Sequence, residues 1–271
     1  MKEMAARSGV SEATLRMWEA RHDFPMPDRL PSGHRRYSEL DLQRVRAVVQ
    51  ARRQGLSLPM AIDGARTIGD EPRPSVFGAL RDRFPQLGAH VLAKPALVAL
   101  SEAIEDECTV QGDRAILFGC FQHERFYRQV EPRWREMART AASAVVLADF
   151  RRKRPRKAAP SEVPLRPNDP LMREWVVVCE APRFAACLAG FERPGGPAAR
   201  RRFETIWTFQ AKPVREAARV CCELVGRTAP EFVEGLAESL ADPAPPRDEL
   251  RTAIDLTTRM VLYATDGSGR A

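Results

Sequence analysis

Thr14, Arg16 and Arg21 fall close together near the start of the chain, and a second basic group, His34, Arg35 and Arg36, follows after a proline-rich stretch. A guanidinium on an exposed helix can hold a phosphate, or grip the O6/N7 edge of guanine through two parallel N–H donors. Arginines beside a tight turn suit phosphate contacts at the flank of a groove, which position a protein without reading bases. The chemistry offered is recognition of a double-stranded polyanion. Catalysis has no counterpart in the sequence: there is no Gly-rich phosphate loop, no HExxH and no GxSxG. The scattered acids do not by themselves make a carboxylate pair, so the expectation is a non-enzyme.

A second set of residues could line a ligand pocket. Phe118, Phe121, Trp175 and Trp207 supply aromatic surface, with Phe184 and Phe209 nearby, and Gln122, His123 and Glu124 supply polar groups. Ligand pockets are mostly apolar with a few polar fixers; the same rings also serve an ordinary core. The candidate ligand residues are therefore Phe118, Phe121, His123, Trp175 and Trp207, with no cofactor named. The six cysteines show no CxxC or Cys/His zinc spacing and read as small core residues, with redox or metal roles as the alternative. The basic run Arg151 to Lys157 reads as a solvated loop that could also add nonspecific affinity for DNA.

These side chains need elements to hold them. Lys2 to Ser8 is expected as a short helix stopped at Gly9, and Ser11 caps a second, Glu12 to about Arg21. On that second helix Glu12, Ala13, Thr14, Arg16, Glu19 and Arg21 point outward, and Leu15 and Trp18 point inward. Leu30 to Tyr37 has strand-forming ends around a Ser-Gly turn and reads as a small hairpin. Ser38 caps a third helix, with Leu42, Val45 and Val49 on one face, and Ser57 caps a fourth, ending near Gly69.

Beyond Asp70-Glu71-Pro72-Arg73-Pro74 the pattern changes. Helices are expected over 96–107, 126–142, 213–225, 230–241 and 248–263. Strands are expected over 114–121, 144–148, 175–179, 184–191 and 203–209. The fold class is α+β: an N-terminal winged helix-turn-helix over 1–69, a connecting segment over 70–90, a mixed α/β domain with a sheet flanked by helices over 91–265, and a disordered tail over 266–271.

The 271 residues are 44% hydrophobic and 29% charged, as for a folded globular protein, and the net charge of +7 is compatible with a polyanionic partner. No apolar run is long enough for a membrane span, and the first residues lack the apolar core of a signal peptide, so a cytoplasmic location is expected.

The run Met4-Ala5-Ala6, Gly9-Val10-Ser11-Glu12-Ala13-Thr14-Leu15-Arg16 and Trp18-Glu19, continued by Pro27-x-Arg29 and Gly33-His34-Arg35-x-Tyr37, resembles the winged helix-turn-helix of the MerR family. The resemblance implies DNA contacts at Arg16, Trp18, Arg35 and Tyr37. It also implies promoter DNA as partner, RNA polymerase holoenzyme affected indirectly through that DNA, and a homodimer. Trp18 and Tyr37 carry a second reading, as packing residues of a small core. The form Trp18 to Pro27 is similar to the branch that includes cobalamin-dependent light regulators. None of His22, His34, His90 and His123 sits in that branch's Asp-x-His-x-x-Gly motif, so cobalamin binding through it is excluded. Gly69, Pro72 and Pro74 interrupt the place of the family's long dimerisation helix, which moves the expected dimer contact to 75–107 or the C-terminal domain. That domain resembles the DICT sensory domain through Leu117 to Gln122, Trp175 to Val178, Phe184 to Ala186 and Phe203 to Phe209. This resemblance implies sensing of a small-molecule or light-linked signal. The alternative to a regulator is a protein-sequestering module with little sequence-specific DNA binding.

Overall fold

Gly9 ends the first helix in the left-handed region, at φ 71°, and its N–H donates to Ala5 O. Two residues later the Ser11 hydroxyl accepts from the Thr14 N–H at 3.1 Å and starts the second. The computed structural model describes residues 1–29, 35–66, 68, 75–166, 169–193 and 201–267. The chain divides into two units, Met1–Arg73 and Pro74–Ala271.

The first unit comprises α1 (Lys2–Ser8), α2 (Glu12–His22), β1 (Asp28–Arg29), β2 (Arg35–Arg36), α3 (Glu39–Arg53) and α4 (Leu58–Arg66). Asp23, left-handed at φ 47°, closes α2. β1 and β2 are antiparallel, with Asp28 opposite Arg36 and Arg29 opposite Arg35. β2 falls within the hairpin expected over 30–37, while its partner β1 precedes that range, and residues 30–34, His34 among them, lie outside the described residues. Ser38 and Asp41 form a reciprocal capping box at the start of α3. Leu15, Trp18, Phe24, Leu42, Val45, Val48, Ile62 and Ala65 make the core, with Val49 only half-buried. Two short helices with one apolar stripe each cannot bury it alone, and α3 and α4 supply the other walls.

The second unit comprises α5 (Val76–Arg83), β3 (His90–Ala93), α6 (Lys94–Gln111), β4 (Ile116–Cys120), α7 (Glu124–Ala138), β5 (Ser143–Ala148), β6 (Ser161–Pro164), β7 (Glu174–Glu180), β8 (Ala185–Arg193), β9 (Arg202–Thr208), α8 (Ala211–Gly226), α9 (Leu236–Ala241) and α10 (Glu249–Gly267). Its seven-stranded sheet runs β3-β9-β8-β7-β4-β5-β6. β4, β5 and β6 are parallel, and every other neighbouring pair is antiparallel. α6, α7 and α10 join one core, with Leu117, Val146, Val177, Cys179, Leu188 and Phe203 from the strands. α5 and α8 contact one another and the same strands. The alternate strand residues, such as Phe118, Val145, Val178 and Cys187, are equally buried, as in a sheet covered on both faces.

The expected strands and most helices are present, with three differences. The segment expected to connect the domains is structured from Ser75 onward. α5 caps on the Ser75 hydroxyl, and its first N–H groups, Val76 and Phe77, donate to the Glu174 carboxylate at 3.1 Å each. A fully buried carboxylate reached from far along the chain holds this helix, and local pattern does not reveal such an anchor. β3 and β6 are short edge strands, half-exposed or bounded by proline, so they lack the apolar run that marked the central ones. The helix expected over 230–241 is a single 3-10 turn, Pro230–Phe232, followed by α9 after Gly235 at φ 74°. Pro132 lies inside α7 without ending it. Of the expected tail, residues 268–271 lie outside the described residues.

Gly119 shows how closely β4 meets α7. A methyl group there would fall 2.5 Å from the Trp134 ring and 2.8 Å from that of Phe121. Overpacking of this kind typically costs about 1–3 kcal/mol. Gly119→Ala is expected to lower the unfolding free energy of the second unit by about that amount in a urea titration followed by tryptophan fluorescence; Gly64→Ala, where nothing lies within 4 Å, is the control.

Candidate nucleic-acid interface and ligand cavity

The exposed side of α2 carries Arg16, whose side chain is 66% exposed and leans on Glu12 at 3.7 Å. Thr14 is half-buried, and its hydroxyl is taken by Ser11 at 2.8 Å. Arg21 and Arg36 are exposed, and no described side chain holds either. Trp18 is different: it is buried, with its ring 6.3 Å from Phe24. The family resemblance placed Trp18 at a DNA contact, but burial removes it from the surface and makes it a support for α2.

Glu19 decides the geometry. The sequence pattern turned it outward, yet its side chain is only 14% exposed. One carboxylate oxygen accepts from Arg35 Nε at 2.9 Å, and the other accepts from the Tyr37 hydroxyl. The base of the β-ribbon is therefore tied to the second helix. Because the Arg35 contact uses Nε, its Nη groups are left for an outside acceptor, and the side chain is 38% exposed. Tyr37 is half-buried, and burial followed by the Glu19 carboxylate pushes its phenol above the ordinary value. It stays a neutral donor. Bidentate pairing of Arg7 with Glu39, at 2.6 and 2.8 Å, ties α1 to α3.

In the second unit a cavity of about 250 Å³ lies among α6, α7 and the end of β4. Of the five expected ligand residues, Phe121 and Trp175 line it. Phe118 is fully buried on the opposite face of β4, because neighbouring residues alternate and Gly119 faces Trp134. His123 instead meets Asp149, with its Nδ1 2.8 Å from a carboxylate oxygen. Trp207 stacks near His90 at 5.2 Å, away from the cavity. Sequence reasoning missed Lys94, Glu105, Phe126 and Arg201, which all line it. Glu105 is buried, accepts from Trp134 Nε1 at 3.0 Å, and is pushed up to about 7, chiefly by that burial.

The other chemical groups singled out in the sequence are spoken for. All six cysteines are buried. Burial raises the thiols of Cys120, Cys179, Cys187, Cys221 and Cys222, the reverse of what a reactive thiolate needs. Among the described residues no cluster of acids, histidines and cysteines could hold a metal, and no helix is long and apolar enough to cross a membrane. The basic run folds back on acids: Arg156 meets Glu131 at 2.6 Å and Glu162 at 3.2 Å, and Lys153 meets Glu231 at 2.7 Å. This pairing lessens the positive charge the run can offer to DNA.

Comparison with known proteins finds a match within each unit. Residues 1–64 match the family described as MerR HTH family regulatory protein, and residues 75–193 match DICT, the sensory domain in diguanylate cyclases and two-component systems. The chain joins a MerR-type helix-turn-helix to a DICT region. It is also 36% identical over 86 residues to the HTH-type transcriptional repressor CarA of Myxococcus xanthus, a match covering 31% of this chain and 30% of that protein. The DICT match takes in α5 and every cavity residue named above except Arg201.

Glu105 makes a pH prediction for the DICT region. A carboxyl raised from its ordinary range to about 7 binds more protons folded than unfolded, so its contribution to stability falls as pH rises through that window. At ~1.4 kcal/mol per unit, the whole effect is on the order of 3 kcal/mol. Glu105→Gln is expected to match the parent near pH 5 and to exceed it by about 2–3 kcal/mol at pH 8. Urea titrations at both pH values measure this, and a pH-independent difference contradicts it.

Proposed function

We propose that the protein is a DNA-binding transcriptional regulator that docks on promoter DNA through α2 and the β-ribbon, acts as a homodimer, and has its binding modulated by a signal received in the DICT region. The observation that supports the reading is the Glu19 tie, which joins the ribbon, through Arg35 and Tyr37, to the helix that carries Arg16. In this reading Arg16 and Arg21 enter the groove or grip its phosphates, with Thr14 beside them at the start of the helix. Arg35, Arg36 and His34 meet the flanking backbone. Tyr37 serves through Glu19, and Trp18 holds the helix from behind.

The CarA name concerns a repressor, and the shared segment spans less than a third of that protein, so it supports DNA binding here more than any sign of regulation. Modulation rests on the DICT match and on the cavity within that unit. Any signal acts only through a difference in affinity for two conformations. The DNA-mediated influence on RNA polymerase follows from the same regulator reading.

Arg16→Ala is expected to weaken binding to the protein's own operator by about 1–3 kcal/mol and to relax the base preference. Arg35→Ala should weaken binding across all sequences and lower the salt slope by about one. Gel-shift titrations on operator and scrambled duplexes at two salt concentrations read both effects. Equal, weak affinity of the parent for both duplexes would instead favour a protein-sequestering role.

A further inference from the structure

We propose that two copies of this chain pair through the outer face of α10, antiparallel, about a two-fold axis between Thr257 and Thr258. This rests on the homodimer reading above and names the contact that makes the dimer.

α10 has two faces with different uses. Leu256 is buried, and Met260 and Tyr263 pack with it into the core that α6 shares. Arg259 Nε donates to Glu107 of α6 at 2.8 Å and fixes the same side. The other side keeps an apolar surface open to solvent. Leu250, Ile254, Val261 and Leu262 are 73, 56, 57 and 55% exposed. Between them stand Thr257 and Thr258, both exposed. Their hydroxyls donate within the helix, to Ala253 O at 2.7 Å and Ile254 O at 2.8 Å. What these two threonines offer outward is therefore chiefly methyl. Leu250, Ile254, Thr257 and Val261 fall within about 60° of one another on a helix of 3.6 residues per turn, and Leu262 flanks them. A solvated helix face is ordinarily polar or charged. A contiguous apolar strip rimmed by polar residues marks an interaction surface.

The pattern also points to the occupant. The steps from 250 to 254, 257 and 261 are the alternating four and three of paired helices. A two-fold contact requires that residue i meet j while j meets i. Counted from the point between Thr257 and Thr258, Ile254 and Val261 stand equally far on either side. An antiparallel copy then sets Ile254 against Val261 of the partner subunit, and Thr257 against Thr258 of the partner subunit. Charge agrees with a like partner. Arg251 and Asp255 on the flank face each other within one chain at 3.7 Å, and Arg259 is held by Glu107. Two copies therefore approach without the like-charge opposition that disfavours wrong partners. A standard interface takes about 800 Å² from each partner. The strip, ~18 Å long from Leu250 to Leu262, forms the apolar centre of a smaller one, so the pairing is micromolar.

Sedimentation velocity tests this on the full chain. At about 50 µM the parent should show twice the chain mass of 30.4 kDa. Ile254→Asp and Val261→Asp, both on the exposed face, should each raise the dissociation constant at least about tenfold with the circular dichroism spectrum unchanged. Ile254→Leu should keep the dimer. Ile254→Cys chains mixed with Val261→Cys chains should cross-link on air oxidation, while neither links to itself. A parent that is monomeric at that concentration overturns the proposal, and if it also binds its operator as one copy, the homodimer reading falls with it. A dimer that survives both aspartates overturns this interface and leaves the homodimer reading standing. Self-linking by Ile254→Cys overturns the antiparallel pairing.

Discussion

The Glu19 carboxylate, shared between Arg35 and Tyr37, is the interaction on which the proposed DNA-facing surface depends. Without it α2 and the ribbon would lose their charged tie and keep the packing of Tyr37 against the shared core. A largely buried carboxylate is costly unless its oxygens are satisfied. Here each oxygen has one donor, and the price of burial is offset by charge-assisted hydrogen bonds, which are stronger than neutral ones. The same arrangement orients Arg35 so that Nε is used internally and the Nη groups remain for phosphate. A negative side chain close to a DNA-facing surface thus contributes by positioning a positive one.

The second unit uses buried acids in the same way but for other ends. Glu174 supplies the N-terminal cap of α5 from the middle of the sheet. Glu162, fully buried, gathers Arg128 at 2.7 Å and Arg156 at 3.2 Å, and Glu131 takes Arg156 at 2.6 Å and Arg128 at 2.9 Å. Against the cost of its burial, hydrogen bonds from Arg156 and then Arg128 hold Glu131 down at about 2. Glu105 departs from this pattern. Its nearest guanidinium is at 3.5 Å, its main partner is the neutral Trp134 N–H, and burial leaves it raised. An acid placed this way beside a cavity is the kind of perturbed group that marks functional sites.

Much of this was legible from residue order. Gly9 and Ser11 fix where α1 stops and α2 starts, and the spacing of Leu15 and Trp18 already turns both inward. The apolar runs over 114–121 and 144–148 read directly as buried strands. What escaped depends on partners distant in sequence. Nothing near Glu19 shows that the ribbon will fold over it. Nothing near Val76 announces Glu174. Phe118 and Phe121 look like neighbours in one pocket until the pleat puts them on opposite faces of the sheet. Lys94 and Arg201 meet over Phe126 only because β3 and β9 pair, with Ala93 opposite Arg202.

The most direct test of the central claim is a double-mutant cycle on operator affinity with Glu19→Ala, Tyr37→Phe and the double variant. If Glu19 holds helix and ribbon as one surface, each single change weakens binding and the double change is little worse than the stronger single one, a coupling of about 0.5–3 kcal/mol. Strictly additive losses, or tighter binding once the acid is removed, would contradict it.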